Sequence, residues 1–191
     1  REVIDREVAM LEELGVEIAY DTRFGTDVTM ADLKKEGFEA FLFSIGAHNA
    51  FKLNIPGEDD YPQVIEAGDF LRRVALGDRR VPGKSVVVIG GGNVAIDAAR
   101  TCLRLGSRNV TLAYRRSRSE MPADEEEVDH AEEEGIKLDF QTIPVEVVGK
   151  SEKVTGRRCL RAKLVKVEGS KRKSPKPIED SDFIMDVDVV V

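Results

Sequence analysis

The sequence predicts an α/β chain: a Rossmann-like parallel sheet with an antiparallel β-meander, preceded by a partial α/β segment. Three observations carry this expectation. The apolar run Val86-Val87-Val88-Ile89 leads into Gly90-Gly91-Gly92 and then into a helical pattern from Asn93 to Leu105. A second strand, Val110 to Tyr114, completes a β-α-β unit of about the 30 residues such a motif needs. From Ile143 onward the pattern changes to alternating runs at 143–149, 158–167 and 183–191, which read as antiparallel strands.

The elements follow in order. Residues 1–14 place Val3, Ile4, Val8, Met10, Leu11 and Leu14 at helical spacing, and Gly15 follows as a stop. Val16 to Tyr20 alternates as a short strand would. Thr29 suits the N-cap of a helix through Leu33 that closes near Gly37. Phe38 to Ile45 is apolar apart from Glu39 and Ser44 and reads as a strand of a buried parallel sheet. Residues 46–65, with Pro56-Gly57 and Pro62, read as a connecting loop, and residues 66–76 as a helix. The polar stretch Gly77 to Gly83 marks the expected domain boundary. Beyond the β-α-β unit, a loop with Pro122 leads to an acidic helix over Ala123–Glu134, stopped by Gly135, and to a third strand over Ile136–Phe140.

Composition narrows the function classes. The chain has 191 residues, 41% hydrophobic, with 29 Lys and Arg against 36 Asp and Glu for a net charge of −7. The length allows one domain or one and a half. The acidic balance argues against broad nucleic-acid binding, which needs a basic face to displace counterions. No apolar run approaches the roughly 20 residues of a membrane-spanning helix. Two cysteines, Cys102 and Cys159, exclude a disulfide-dense scaffold, a cysteine-based zinc cluster and a C-x-x-C redox pair. The first residue is Arg1, and the last lies inside the apolar run Ile184 to Val191. Both ends therefore read as cuts through a longer protein.

Gly90-Gly91-Gly92-Asn93-Val94-Ala95 fits the pattern G-x-G-x-x-G/A. The first glycine permits the tight turn out of the strand. The second lets a pyrophosphate approach the backbone, and the small Ala95 lets helix and strand pack. The helix then offers unpaired N–H groups and the positive end of its dipole to the phosphates. These six residues are the expected dinucleotide site. The end of the second strand selects among dinucleotides. An NAD site has an acid there to hold the ribose 2′-hydroxyl. This chain has Tyr114-Arg115-Arg116-Ser117-Arg118, with no acid before Glu120. Guanidiniums match the 2′-phosphate of NADP(H), so Arg115 and Arg116, with Arg118 close by, are expected to bind it.

Other residues rank lower. Asp97 reads as a capping or supporting group on the cofactor helix, and Cys102 as core. His48 and His130 lack metal-ligand spacing, so no metal site is expected. Lys171-Arg172-Lys173 reads as a solvated hairpin loop. The acids Asp124 to Glu127 suit a helix N-terminus. No catalytic side chain stands out.

Taken together, several stretches form a familiar series: Gly90 to Asp97, Tyr114-Arg115-Arg116, Met121-Pro122-Ala123 and Glu133-Glu134-Gly135-Ile136. With Leu14-Gly15-Val16-Glu17, Ser44-Ile45-Gly46-Ala47 and Ile55-Pro56-Gly57-Glu58-Asp59, the chain resembles the small (beta) subunit of NADPH-dependent glutamate synthase. It also resembles that subunit's flavoprotein relatives, including the flavin-bearing part of dihydropyrimidine dehydrogenase. The resemblance implies a cytoplasmic oxidoreductase in which NADPH passes hydride to FAD on a neighbouring domain. Electrons then leave through iron–sulfur clusters to a large subunit or another acceptor protein. It also implies that Gly90, Gly92 and Ala95 hold the pyrophosphate, within a loop completed by Gly91, Asn93 and Val94, and that Arg115 and Arg116 hold the 2′-phosphate. Residues 1–80 would be a partial FAD-domain segment with its connector, and residues 81–191 the NADP(H)-binding Rossmann domain. Residues 1–80 lack the family's own FAD-binding glycine motif and its cysteine-rich cluster region, so this chain is expected to bind NADPH and not FAD. Two alternatives stay open: a flavoprotein feeding another acceptor (ferredoxin, a sulfur compound or a pyrimidine), and a non-catalytic NADP(H)-binding module.

Overall fold

Strands that pair in parallel bury both faces, so their sequences run apolar without alternation. Strand β1 (Ser85–Ile89) meets this condition: Val86, Val87 and Val88 are at most 1% exposed. The computed structural model describes residues 2–46, 51–169 and 172–191. These fall into two compact units, Arg1–Gly46 and Ala47–Val191.

The first unit holds helices α1 (Glu2–Glu13) and α2 (Met30–Lys35), neither with a buried residue. Thr29 caps α2 in a full capping box with Asp32. Phe24 and Phe43 meet edge to face at 5.4 Å. The strands expected over Val16–Tyr20 and Phe38–Ile45 do not form. A strand needs a partner for its N–H and C=O groups. Among the described residues of this unit the only bridge is Phe24 to Val28. Leu42, at 93% exposed, and Ile45, at 64%, are correspondingly uncovered.

In the second unit, helix α3 (Ala67–Ala75) precedes β1. Helix α4 (Asn93–Leu105) and strand β2 (Asn109–Tyr114) follow. Next come a short 3-10 turn at Arg118–Glu120, helix α5 (Glu125–Glu133) and strand β3 (Lys137–Phe140). The hairpin strands β4 (Thr142–Lys150) and β5 (Lys153–Val165) turn through Ser151 and Glu152, both at positive φ. Strands β6 (Ser174–Pro177), β7 (Phe183–Met185) and β8 (Val189–Val190) complete the chain.

The parallel sheet runs β3-β2-β1-β8, and β4, β6 and β7 are joined through β5 in antiparallel pairing. The run 183–191, expected wholly in the meander, is therefore divided. Phe183 to Met185 pair with β5, whereas Val189 and Val190 pair in parallel with β1. Asp188 drives the switch: its carboxylate accepts from the Lys84 and Ser85 amides at 2.9 and 2.6 Å, anchoring β8 beside the start of β1. The loop before α3 closes the sheet edge, with Ile65 N–H donating to Val190 O and Val190 N–H to Gln63 O. It also docks on β4, where the Val147 amide donates to Pro56 O at 2.9 Å and Gly57 lies so close that a Cβ would meet Val147 O at 2.3 Å. Residues 51–76 thus pack with the second unit.

Three layers result. Val86, Val88 and Leu112 face Ile96, Ala99, Cys102, Val128 and Ala131 of the helices. Val87 and Ala113 face the other way, onto Val147 and Val154 of the antiparallel sheet. Burial pushes the Cys102 thiol up to about 12, so it is inert at neutral pH. Cys159 is also fully buried and accepts from Arg157 Nε.

Helices α4 and α5 are pinned by charge as well as packing. Arg100 bridges Glu127 and Glu134, and Arg104 joins it on Glu134. These guanidinium hydrogen bonds pull the Glu134 carboxyl from its ordinary 4.5 to about 2. A depressed folded-state value means that the stabilisation is complete above about 4.5 and disappears as the pH falls towards 2. Glu134→Gln is expected to lower stability by about 1 kcal/mol at pH 7, the scale of a partly exposed ion-pair network. The gap should close between pH 4.5 and 2 in denaturant melts of parent and variant.

Candidate functional site

The site grows from the turn that leaves β1. Gly90 has φ +155, and a Cβ there would lie 2.8 Å from the Ala95 Cβ. The first turn of α4 therefore sits directly against the strand exit, and Ala95, 7% exposed, has the room only a small residue needs. At Gly91 a Cβ would fall 2.5 Å from the Tyr114 ring, which fills the space beneath the turn. The Tyr114 hydroxyl donates to Glu120 O at 2.9 Å and fixes that ring. At Gly92 a Cβ would meet nothing nearer than Pro122 Cγ at 3.9 Å. The protein does not use that space, so it stays open to a ligand.

Gly92 is also the N-cap of α4, where no side chain caps the helix and no acid occupies the first turn. This end of the dipole is left with its positive character uncompensated. Val94 is 55% exposed, so its side chain packs against little. Asn93 acts through its side chain: Oδ1 accepts from the Asp124 amide at 2.9 Å, and Gly91 O accepts from the Ala123 amide at 3.0 Å. Met121-Pro122-Ala123 is thereby laid along the glycine turn.

Parallel pairing of β1 with β2 sets Ile89 beside Ala113, so Gly90 and Arg115 leave the same edge of the sheet. A cavity of about 500 Å³ opens there, a size usual for small-molecule sites. Gly90, Gly91, Tyr114, Arg115, Arg116 and Pro122 line it. Of the eight expected binding residues it brings Gly90, Gly91, Arg115 and Arg116 together; Gly92 to Ala95 form the adjoining first helical turn. A second cavity of about 440 Å³ shares Lys52, Leu53 and Ile89 and reaches Glu66 and Val191.

The three arginines after Tyr114 do not act alike. Arg115 is exposed, and Arg116 Nε donates to Lys173 O at 2.9 Å. Arg118, expected close to the phosphate, is instead paired with Asp129 and Glu132 of α5. The 3-10 turn at Arg118–Glu120 carries it to the helix, where two carboxylates hold it. The larger surprise is Arg172. It lines the same cavity, and its guanidinium donates to Glu120 O at 2.9 Å. Three basic residues in a row were its only signal in sequence, and such a run describes a solvated loop equally well. Thr142 and Pro144, at the start of β4, also line the cavity.

Asp97 is exposed on α4, and His130 is half-buried on α5. His48 and Lys171 lie outside the described residues. Among the described residues no group of three or more His, Cys, Asp or Glu is placed to hold a metal ion. Among the same residues no helix is long and apolar enough to cross a membrane.

A parallel sheet, a glycine turn and an uncapped helix define the class of α/β folds that bind ligands at the carboxyl ends of their strands. The chain belongs to the pyridine nucleotide-disulphide oxidoreductase family, whose profile matches residues 3–187. It is 43% identical, over all of its length, to the NADPH-Fe(3+) oxidoreductase subunit beta of Geobacter sulfurreducens, covering 29% of that protein. It is 40% identical to the NADP(+)-dependent formate dehydrogenase subunit beta of Moorella thermoacetica, covering 27%. To the glutamate synthase [NADPH] small chain of Azospirillum brasilense it is 34% identical, covering 42%. The chain thus spans well under half of these relatives. Among solved structures, Mycobacterium tuberculosis FprA in complex with NADPH matches with a TM-score of 0.72 at 20% identity, over 88% of this chain and 52% of that one. At that identity the likeness is one of fold.

The two inner glycines make separable demands. Gly91→Ala is expected to cost about 1–3 kcal/mol through the clash with Tyr114. Gly92→Ala, which meets no clash, should cost less, about 0.5–1 kcal/mol from the poorer N-cap alone. Thermal unfolding of the two variants side by side checks this.

Proposed function

We propose that this chain is the NADP(H)-binding portion of a flavoprotein oxidoreductase that takes hydride from NADPH. The observation that carries the reading is the single cavity lined by both Gly90-Gly91 and Arg115-Arg116, on neighbouring parallel strands. The open side of Gly92 and the uncapped α4 suit a pyrophosphate. The absence of an acid between Tyr114 and Glu120 suits a 2′-phosphate in place of a bare ribose.

Bound there, a nicotinamide supplies a transferable hydride. The chain's residues hold and orient. The α4 amides meet the pyrophosphate, Arg115 and Arg116 meet the 2′-phosphate, and Tyr114 fixes the height of the turn. Ile89, Ile143 and Pro144 present apolar walls that keep water from the ligand. The second cavity, beside β8, accommodates the nicotinamide half. No side chain needs to act as acid or base, since catalysis here is positioning.

In the whole protein, residues 81–191 serve as the NADP(H) domain and residues 1–80 as part of an FAD domain and its connector, the connector being the stretch 51–76 that packs on the parallel sheet and α4. FAD itself is held by sequence outside this chain, because residues 1–80 have no strand–glycine turn–helix motif of their own. Iron–sulfur clusters and a partner subunit then take the electrons onward, in the cytoplasm. The higher identity to the iron(III) reductase and formate dehydrogenase subunits supports an acceptor other than that of glutamate synthase.

Calorimetric titration with NADPH and NADH tests the reading. NADPH is expected to bind at least tenfold more tightly. The double variant Arg115→Ala/Arg116→Ala should lose roughly 10–100-fold for NADPH, about 1.4–2.8 kcal/mol, and little for NADH. Equal losses for both cofactors would overturn the assignment.

A further inference from the structure

Selection for a 2′-phosphate is ordinarily read from the end of the second parallel strand. Here a second element reaches the same place. Strands β5 and β6 pair from Val165–Ser174 to Ala162–Pro177, and Arg172 and Lys173, just before β6, lie against the turn that follows β2. Three hydrogen bonds hold these residues. The Arg172 guanidinium donates to Glu120 O at 2.9 Å. The Lys173 amide donates to Glu120 Oε1 at 3.1 Å, and Arg116 Nε donates to Lys173 O at 2.9 Å. A merely solvated basic loop has no need of this anchoring. The result is that Arg172 lines the cavity of Arg115 and Arg116 although it is remote from them in sequence.

We propose that Arg172 is a third anion-binding side chain of the 2′-phosphate pocket, and that Glu120 is the positioning residue that delivers it. The proposal rests on the NADP(H) reading above. Its chemistry follows from the ligand. A phosphate monoester near neutral pH carries close to two negative charges on three acceptor oxygens. Guanidiniums arriving from the β2 end alone would meet one side of it. One arriving from the β5–β6 loop encloses it and adds fork geometry that a lysine lacks. Glu120 is the first acid after Tyr114, and its charge by itself would repel the phosphate. Its Oε1 accepts from the Lys173 amide and its Oε2 from the Ser117 hydroxyl at 3.0 Å, so the carboxylate works as a staple for the loop while keeping its charge.

The two roles predict opposite signs for Glu120. Simple electrostatics says that Glu120→Ala should tighten binding of a phosphate; loss of positioning says that it should weaken it. The experiment titrates the full-length protein with adenosine 2′,5′-bisphosphate and with 5′-AMP, which differ only in the 2′-phosphate. Arg172→Ala is expected to weaken the bisphosphate about tenfold, the loss of one charge-assisted contact, and AMP less than twofold. Arg172→Lys should recover only part of this. Glu120→Ala should weaken the bisphosphate several-fold, while Glu120→Gln, which keeps an acceptor for the Lys173 amide, stays nearer the parent. In turnover with NADPH, KM should rise and kcat hold for each weakened variant, with NADH unaffected. Lys176→Ala, exposed on β6, is the charge-matched control and should match the parent. Arg172→Gln, which keeps a donor for Glu120 O, stands in if the alanine variant does not fold. If Arg172→Ala and Arg172→Gln bind the bisphosphate as the parent does while Arg115→Ala does not, the inference fails and the NADP(H) reading stands. If Glu120→Ala binds it more tightly, the positioning role fails. A parent that does not distinguish the bisphosphate from AMP overturns both readings together.

Discussion

The site depends on how closely three backbones and one ring can approach at the exit from β1. Gly90 rests against Ala95, and Gly91 lies over Tyr114, each at a distance that no Cβ could occupy. That contact sets the position of α4 relative to β1 and β2. It brings an uncapped helix end to the carboxyl edge of the sheet and leaves the far side of Gly92 open. The three layers exist to hold it. Val86 and Val88 press on the helices, Val87 presses on the antiparallel sheet, and the turn between strand and helix has little freedom left.

Charge is distributed with the same economy. The chain is acidic overall, yet its arginines fall into groups with different duties. Arg100, Arg104 and Arg118 are paired with carboxylates of α5 and the residue that ends it, and they fasten that helix to the sheet's flank. Arg115, Arg116 and Arg172 line the cavity. A guanidinium between two carboxylates of α5 is held on that helix, whereas those at the end of β2 and before β6 sit along the cavity wall. Position in the fold, and not position in the sequence, separates Arg116 from Arg118.

The family supplies a context that the chain alone does not complete. The first unit is covered with exposed apolar side chains such as Leu42 and Phe43, and its expected strands have no partners among the described residues. The second unit is self-consistent: its sheet edge is covered by residues 63–65, and its core is contiguous on each face. The chain belongs to the pyridine nucleotide-disulphide oxidoreductases and spans less than half the length of the relatives it matches. The cysteines here contribute as core, since both are buried.

The sequence by itself determined whatever is local or periodic. The β-α-β unit was legible in full because its signals are short-range: a continuous apolar strand, glycines at fixed offsets, a helical period and a second strand. Thr29 announced its helix because capping is decided within three residues, and the acids from Asp124 marked the start of α5. Only the tertiary structure decided what depends on partners distant in the chain. Phe38 to Ile45 has the composition of a buried strand and none of the pairing. Val189 and Val190 left the meander because Asp188 bonds to Lys84 and Ser85, about a hundred positions earlier. Arg172 joined the cavity because β6 pairs with β5 and sets Arg172 and Lys173 against Glu120. A residue's own side chain states what it can bind; which neighbours it meets is set by long-range strand pairing, whose register no local pattern encodes.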